Sequence, residues 1–284
     1  MSQTPNQALL NSGLNFTPTI HNDTYPFMDP TNPKAGAVPA GRSIFIIGAS
    51  KGIERARPRC RTYARAGFTK IGIGAGSPLA SLAAEIAAAA SSISSAFAGK
   101  LDVLVANAGY LEAWLPASEI DLDDWWRSYE VNVLGTFLTH RFFAPLVRAS
   151  ELRTVLVVSS IASHVLAVGG MAYSGAKLAL LRFAERIMLE EEEKGTGLLA
   201  CSVHPGGVQT ELTSAVAEEM GKRVLVDKVE LAADSMVWLT RERREWLARR
   251  FVSCTWDMQE LEQKREKIEK GDLRKVRMAV ELGN

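Results

Sequence analysis

From Ser43 onward the chain repeats one pattern, a short apolar run followed by a segment long enough for a helix. The runs fall at 43–47, 70–73, 101–106, 154–158, 199–203 and 251–254, all of strand length. Strands that are apolar along their whole length must be covered on both faces, and the intervening helices supply that cover. Such strand–helix–strand units wind with right-handed crossovers into a parallel sheet. The fold class is therefore α/β, a doubly wound parallel sheet. With 284 residues and 47% hydrophobic content, the chain can build its core as a single domain over 41–284.

Residues 1–40 lack this pattern. They are rich in Asn, Pro, Thr and Gly and read as an N-terminal extension, extended or partly disordered. A net charge of +1 creates no chain-wide field to attract nucleic acid or an anionic membrane. No apolar run approaches the ~20 residues of a membrane span. The reading is a soluble, cytoplasmic protein whose partner is a small molecule. Cys60, Cys201 and Cys254 are odd in number and far apart, with no CxxC pair or Cys/His cluster, so neither a disulfide framework nor a metal site is expected.

Two helices stand out. Residues 121–132 open with acidic residues suited to a helix N-terminus and continue with Trp125, Trp126 and Tyr129, which read as core or subunit contacts. Residues 173–190 place Ala176, Leu180, Phe183, Ile187 and Met188 on one stripe, and 190–193 with Lys194 read as a solvated charge run. The Ala/Ser tract at 83–98 favours helix, and 259–275 reads as an exposed amphipathic helix.

The first strand runs straight into Gly48-Ala-Ser50-Lys51-Gly52-Ile53 and then a helix. Glycines let a backbone approach a pyrophosphate, and the N–H groups at the start of the helix hold its charge, so this turn is a candidate dinucleotide site of the Rossmann type. Glu54 replaces a third small residue and Pro58 falls inside the expected helix, two features that oppose tight cofactor binding.

Tyr173-Ser-Gly-Ala-Lys177 carries the strongest chemical signal, because residues four apart lie on one helix face. A phenol with a pKa of about 10 exchanges protons near neutrality only if positive charge stabilises its anion, and Lys177 supplies that charge. Three strands end in chemistry at the sheet edge where doubly wound folds bind ligands: 154–158 in Ser159-Ser160, 101–106 in Asn107-Ala-Gly109, and 199–203 in His204-Pro205-Gly206.

Over about 42–278 the chain resembles the short-chain dehydrogenase/reductase family, with its lead-in and the stretch at 251–261 similar to fungal members. The match runs through Gly48-xxx-Gly52-Ile53, Asn107-Ala-Gly, Asn132, Ser160, Tyr173, Lys177 and Pro205-Gly206-Gly-Val208-Gln-Thr210. The resemblance implies an NAD(P)(H)-dependent carbonyl reductase or alcohol dehydrogenase with direct hydride transfer and no metal. Tyr173 would be the general acid/base, Ser160 would orient the substrate oxygen, Lys177 would hold the nicotinamide ribose, and Asn132 would hold a water behind the lysine. Gly48, Ser50, Lys51, Gly52, Ile53, Asn107, Pro205, Gly206, Val208 and Thr210 would line the cofactor. Members commonly associate through the helices beginning near Asp121 and Tyr173, which implies a homodimer or homotetramer.

Only about 25 residues separate Ala75 from Leu101, where members usually fit a helix, a third strand and another helix; the third strand is expected to be missing. No acidic residue follows the second strand, which ends in Gly74-Ala75-Gly76-Ser77, and Lys51 can meet a 2′-phosphate, so NADP(H) is favoured over NAD(H). The substrate would be gripped by 111–119, with Trp114, and by the loop after Pro205, a hydrophobic surround. The alternative function is a catalytically impaired binding or interaction protein, motivated by Glu54, Pro58 and the shortened segment before Leu101.

Overall fold

A computed structural model of the chain describes residues 13–32, 38, 41–48, 63–65, 68, 70–74, 79–216 and 218–278. It holds one six-stranded sheet of order β2-β1-β3-β4-β5-β6, parallel throughout. The strands are β1 Ser43–Ile47, β2 Lys70–Gly74, β3 Val103–Ala106, β4 Thr154–Val158, β5 Leu199–His204 and β6 Phe251–Ser253. β3 starts two residues later than its apolar run because Asp102 is engaged sideways. Its carboxylate accepts from the Ser43 amide at 2.9 Å and from Arg42 Nη1 at 2.7 Å, which pins the start of β1 to that of β3.

Winding reverses at β1. The chain places β2 on one side of it and returns through α1 Leu79–Ala96 to place β3 on the other. Among the described residues between Gly74 and Val103 there is no further strand, as the short spacing predicts. The reversal opens a crevice beyond the C-terminal ends of β1 and β3, the position at which open α/β sheets bind ligands.

Alternate side chains of each strand enter two separate cores, because successive Cβ atoms point to opposite faces. Ile44, Ile46, Val105, Leu156 and Val203 pack with Trp238, Trp256 and Leu261 on one face. Phe45, Ile47, Leu104, Val155 and Val157 pack with Phe143, Leu180 and Ile187 on the other. Burying a side chain of this size stabilises by about 1.5–3 kcal/mol, and Phe45 stacks on Phe143 with centroids 4.7 Å apart.

The expected helix at 121–132 is the first part of a longer composite. α2 Leu122–Tyr129 is capped by Asp121, whose side chain accepts from the Asp124 amide at 3.0 Å. A π-helical turn at Glu130–Leu134 follows, and α3 Gly135–Arg148 continues from it. The aromatics of α2 are not core: Trp125 and Tyr129 are half-buried and Trp126 is 53% exposed. α4 Met171–Glu193 starts two residues before Tyr173. Its terminal acidic run is solvated except at Glu191, which is 1% exposed and accepts from Arg148 Nε at 2.8 Å and Thr196 Oγ1 at 2.6 Å. Arginine at the end of α3 thus draws one carboxylate inward.

α5 Glu218–Val224 and α6 Val229–Thr240 precede β6, and the tail forms two short helices, α7 Met258–Gln263 and α8 Arg265–Lys270. These are docked rather than exposed, since Met258, Leu261 and Ile268 are fully buried. The expected helix also stops early, because Arg274 turns back to pair its carbonyl with the Phe251 amide at 2.9 Å.

Residues 13–32 do not trail from the fold. Met28 is fully buried, Trp256 Nε1 donates to the Leu14 carbonyl at 2.8 Å, and Ile20 forms an antiparallel bridge with Trp256. The Lys228 amide donates to the Asn22 carbonyl at 2.7 Å. Backbone pairing with the C-terminal region therefore orders a segment whose composition reads as loose; residues 1–12 lie outside the described part. Among the described residues no helix is long and apolar enough to cross a membrane, and Cys201 and Cys254 are buried; Cys60 is outside the described residues.

Candidate active site

The C-terminal ends of β1, β3, β4 and β5 surround one cleft of about 1820 Å³. Gly48 follows β1 at φ +82°, and a β-carbon there would stand 2.3 Å from the Cα of Ala108. Asn107 Nδ2 donates to the Ile47 carbonyl at 3.4 Å, joining the same two strand ends. Ser50, Lys51, Gly52 and Ile53, with Glu54 and Pro58, lie outside the described residues. The glycine turn is thus seen only at its first residue.

Ser160, Tyr173 and Lys177 line the cleft together. Ser160 follows β4, and its Oγ caps a short 3-10 turn by accepting from the Ala162 amide at 3.2 Å. One helical turn beyond Tyr173, Lys177 is 2% exposed, its Nζ 5.5 Å from the tyrosine ring centroid. That ammonium donates to the Val158 carbonyl at 2.9 Å, and Ser159 Oγ donates to the Lys177 carbonyl at 2.8 Å, so the end of β4 grips α4 at this turn. Burial raises the Tyr173 hydroxyl above its ordinary value; the neighbouring Ser160 hydroxyl lowers it and the charge of Glu112 raises it further. The spacing predicts a lysine-lowered phenol, whereas here desolvation outweighs the other effects and the net displacement is upward.

Asn132 is fully buried within the π turn. Its Nδ2 donates to the Tyr110 and Ser128 carbonyls, each at 2.7 Å, and its Oδ1 accepts from the Tyr110 amide at 3.4 Å. The side chain therefore shapes the loop after β3. A β-carbon on Gly109 would stand 3.4 Å from Asn132 Oδ1 and 3.6 Å from Lys177 Nζ, so the asparagine and the lysine converge on that glycine. A π turn in a helix beside such groups is a frequent mark of function.

Pro205, Gly206, Val208 and Thr210 also line the cleft. Gly206 sits at φ +96° against Asp227, and the Gly207 amide donates to Asp227 Oδ2 at 2.6 Å. Asp227 Oδ1 accepts from Asn22 Nδ2 at 2.6 Å, so the N-terminal extension buttresses this loop. Burial holds the Asp227 carboxyl above the usual range. Neither Asn22 nor Asp227 carries a sequence signal for this role, and Glu112, inside a stretch read as substrate-gripping, faces inward fully buried.

The described residues suit a dinucleotide. A cleft of 1820 Å³ exceeds the roughly 300–1,000 Å³ of a single small-molecule pocket. Its polar donors, the Lys177 ammonium, the Asn107 carboxamide and the Thr210 hydroxyl, stand among the apolar Leu111, Trp114, Leu166 and Leu212. Two hydroxyls and an ammonium at one wall can deliver a proton to an oxygen bound there. Among the described residues no group of His, Cys, Asp and Glu could hold a metal ion.

A family model described as short chain dehydrogenase matches residues 79–221. A short chain dehydrogenase of the fungus Monascus purpureus is 37% identical over 298 residues, covering 95% of this chain and 98% of the relative. Among solved structures, a short chain dehydrogenase from Shigella flexneri complexed with NADP superposes with TM-score 0.64 at 21% identity, covering 76% of this chain and 98% of its own. A 3-ketoacyl-(acyl-carrier-protein) reductase from Brucella melitensis complexed with NADH gives TM-score 0.64 at 17% identity, covering 75% and 96%. At these identities the structures speak to the fold.

Proposed function

The chain belongs to the short-chain dehydrogenase/reductase family of oxidoreductases, with fungal relatives, and from that premise we propose that it interconverts an apolar carbonyl compound and its alcohol, using NADP(H) in preference to NAD(H). The observation that carries this reading is the convergence of Ser160, Tyr173 and Lys177, with Lys177 Nζ 5.5 Å from the tyrosine ring centroid, in the same cleft as Gly48, Asn107 and the loop at 205–210. When bound, the nicotinamide supplies or accepts the hydride. In reduction the Tyr173 hydroxyl gives its proton to the carbonyl oxygen while Ser160 Oγ hydrogen-bonds that oxygen and orients it. The raised Tyr173 value keeps the phenol protonated through neutral pH, the state that reduction needs. Lys177 is held by the Val158 carbonyl where it can reach a ribose hydroxyl. Gly48, Ser50, Lys51, Gly52 and Ile53 are assigned to the pyrophosphate end, Asn107 to the adenosine side, and Pro205, Gly206, Val208 and Thr210 to the nicotinamide end.

Support for NADP(H) is the basic Lys51 in the turn and the lack of an acidic residue directly after β2. Titration of NADPH and NADH into the purified protein, read by nicotinamide fluorescence and by thermal stabilisation, tests the reading. Saturable binding with NADPH the tighter is expected. Silence toward both cofactors would overturn it and favour a binding or interaction protein.

A homodimer or homotetramer built on α2, α3 and α4 is part of the same proposal. Leu122 is 74% exposed, Trp126 53%, Phe137 42% and Leu189 44%, apolar side chains that these helices leave uncovered. Sedimentation at micromolar concentration should give a multiple of 30.9 kDa, and a monomeric mass would exclude this association.

A further inference from the structure

Helix α4 brings Tyr173 and Lys177 to the cleft, yet it starts without a cap of its own. Its N-cap is Gly170, at φ +62° and with no side chain. A β-carbon there would meet the Trp114 ring at 2.6 Å, so no larger residue fits. The first-turn N–H groups of a helix need partners from elsewhere.

Glu112, from the loop after β3, supplies them. Fully buried, it accepts from the Ala172 amide at 2.8 Å through Oε1 and from the Tyr173 amide at 3.1 Å through either oxygen. A carboxylate at this end of a helix is favoured by the aligned peptide dipoles, and its bonds to N–H groups are strengthened by charge. Its Oε2 also accepts from Ser128 Oγ on α2, and the Ser128 carbonyl accepts from Asn132 Nδ2 at 2.7 Å. One buried carboxylate thus joins the main chain of Tyr173 to the turn that carries Asn132.

We propose that Glu112 is a positioning residue for the reaction, fixing where Tyr173 stands relative to Ser160 by holding the peptide N–H of the tyrosine itself. The inference rests on Tyr173 being the proton donor. Nothing in sequence spacing points to it, since Glu112 and Tyr173 are 61 residues apart and on different elements.

Glu112→Gln and Glu112→Ala, assayed for carbonyl reduction beside the wild type, test this. The Ala variant removes the anchor, and displacement of a reacting group by about an ångström costs on the order of 10²-fold in rate. Its kcat is expected to fall on that scale with the cofactor KM little changed. The Gln variant keeps the size and one carbonyl acceptor, and so remains testable if the Ala variant does not fold. It loses the negative charge that helps raise Tyr173. The groups facing Tyr173 are Lys177 on α4 and Glu112; facing Glu112 is Tyr110, with Asp124 and Arg127 of α2 beyond it. Reduction requires protonated tyrosine, so in the Gln variant the alkaline limb of the kcat profile moves to lower pH. An active wild type accompanied by a Gln variant with unchanged kcat and an unmoved limb would overturn the role of Glu112. A wild type that binds cofactor but reduces no carbonyl compound would instead overturn the proposed reaction, and the role of Glu112 with it.

Discussion

Tyr173→Phe removes carbonyl reduction and leaves cofactor binding within about twofold of the wild type. The substitution deletes one oxygen and leaves the half-buried ring. It does not touch the contacts that place the ring, because Glu112 holds the peptide N–H of residue 173 and not its side chain. The Lys177 ammonium, 5.5 Å from the ring centroid, keeps its bond to the Val158 carbonyl. Ser160 still accepts from the Ala162 amide. What disappears is the proton source, and a positioned general acid contributes roughly 10²–10⁴-fold. Turnover of NADPH with an apolar ketone should therefore fall by about 10³-fold while fluorescence titration still shows saturable NADPH binding. A variant that retains more than a tenth of the wild-type rate would show that another group donates the proton, and loss of NADPH binding would show that the hydroxyl serves the cofactor instead.

That Tyr173 can be singled out at all comes from helical spacing, a local property. A period of 3.6 brings 173 and 177 to one face wherever the helix sits. Apolar runs of strand length likewise locate β1 to β6 to within a residue or two, because burial on both faces leaves a continuous apolar signature. Ser160, Asn107 and Pro205 follow from those strands, since a parallel sheet gathers its C-terminal ends along one edge. The contacts that organise the site are of a different kind. Asp227 meets Gly207 from 20 residues away, Asn22 meets Asp227 from 205, and Glu112 reaches Tyr173 from 61. Periodicity reports which face of an element is buried, and says nothing about which distant loop arrives there. The same limit hides the docking of 13–32 onto Trp256, whose polar composition matches that of an unpaired segment. It also hides the π turn at Asn132, whose residues are as compatible with a continuous α-helix.

Gly48→Ala is expected to carry a large structural cost at the cleft. The pairing of Ile47 with Ala106 leads directly into Gly48 on one strand and Asn107-Ala108 on the next. A β-carbon at 48 would stand 2.3 Å from the Ala108 Cα and 2.5 Å from its nitrogen, and backbone atoms inside a register cannot swing aside as a flexible side chain would. Two penalties combine: a left-handed conformation costs a non-glycine residue about 1–2 kcal/mol, and overpacking costs about 1–3 kcal/mol. At roughly 2–4 °C per kcal/mol for a domain of this size, Tm should drop on the order of 5–15 °C. Gly41→Ala separates the two penalties. Gly41 has φ +86°, close to the +82° of Gly48, but nothing within 4 Å of its β-carbon position, so it carries the conformational cost alone. If the two variants melt together, the contact with Ala108 relaxes freely and the corner is not a tight one. If Gly48→Ala melts well below Gly41→Ala and also binds NADPH weakly, the close approach of β1 to the turn after β3 both stabilises the sheet and shapes the floor of the cofactor cleft, because Gly48 and Asn107 can then not be moved apart without loss of both.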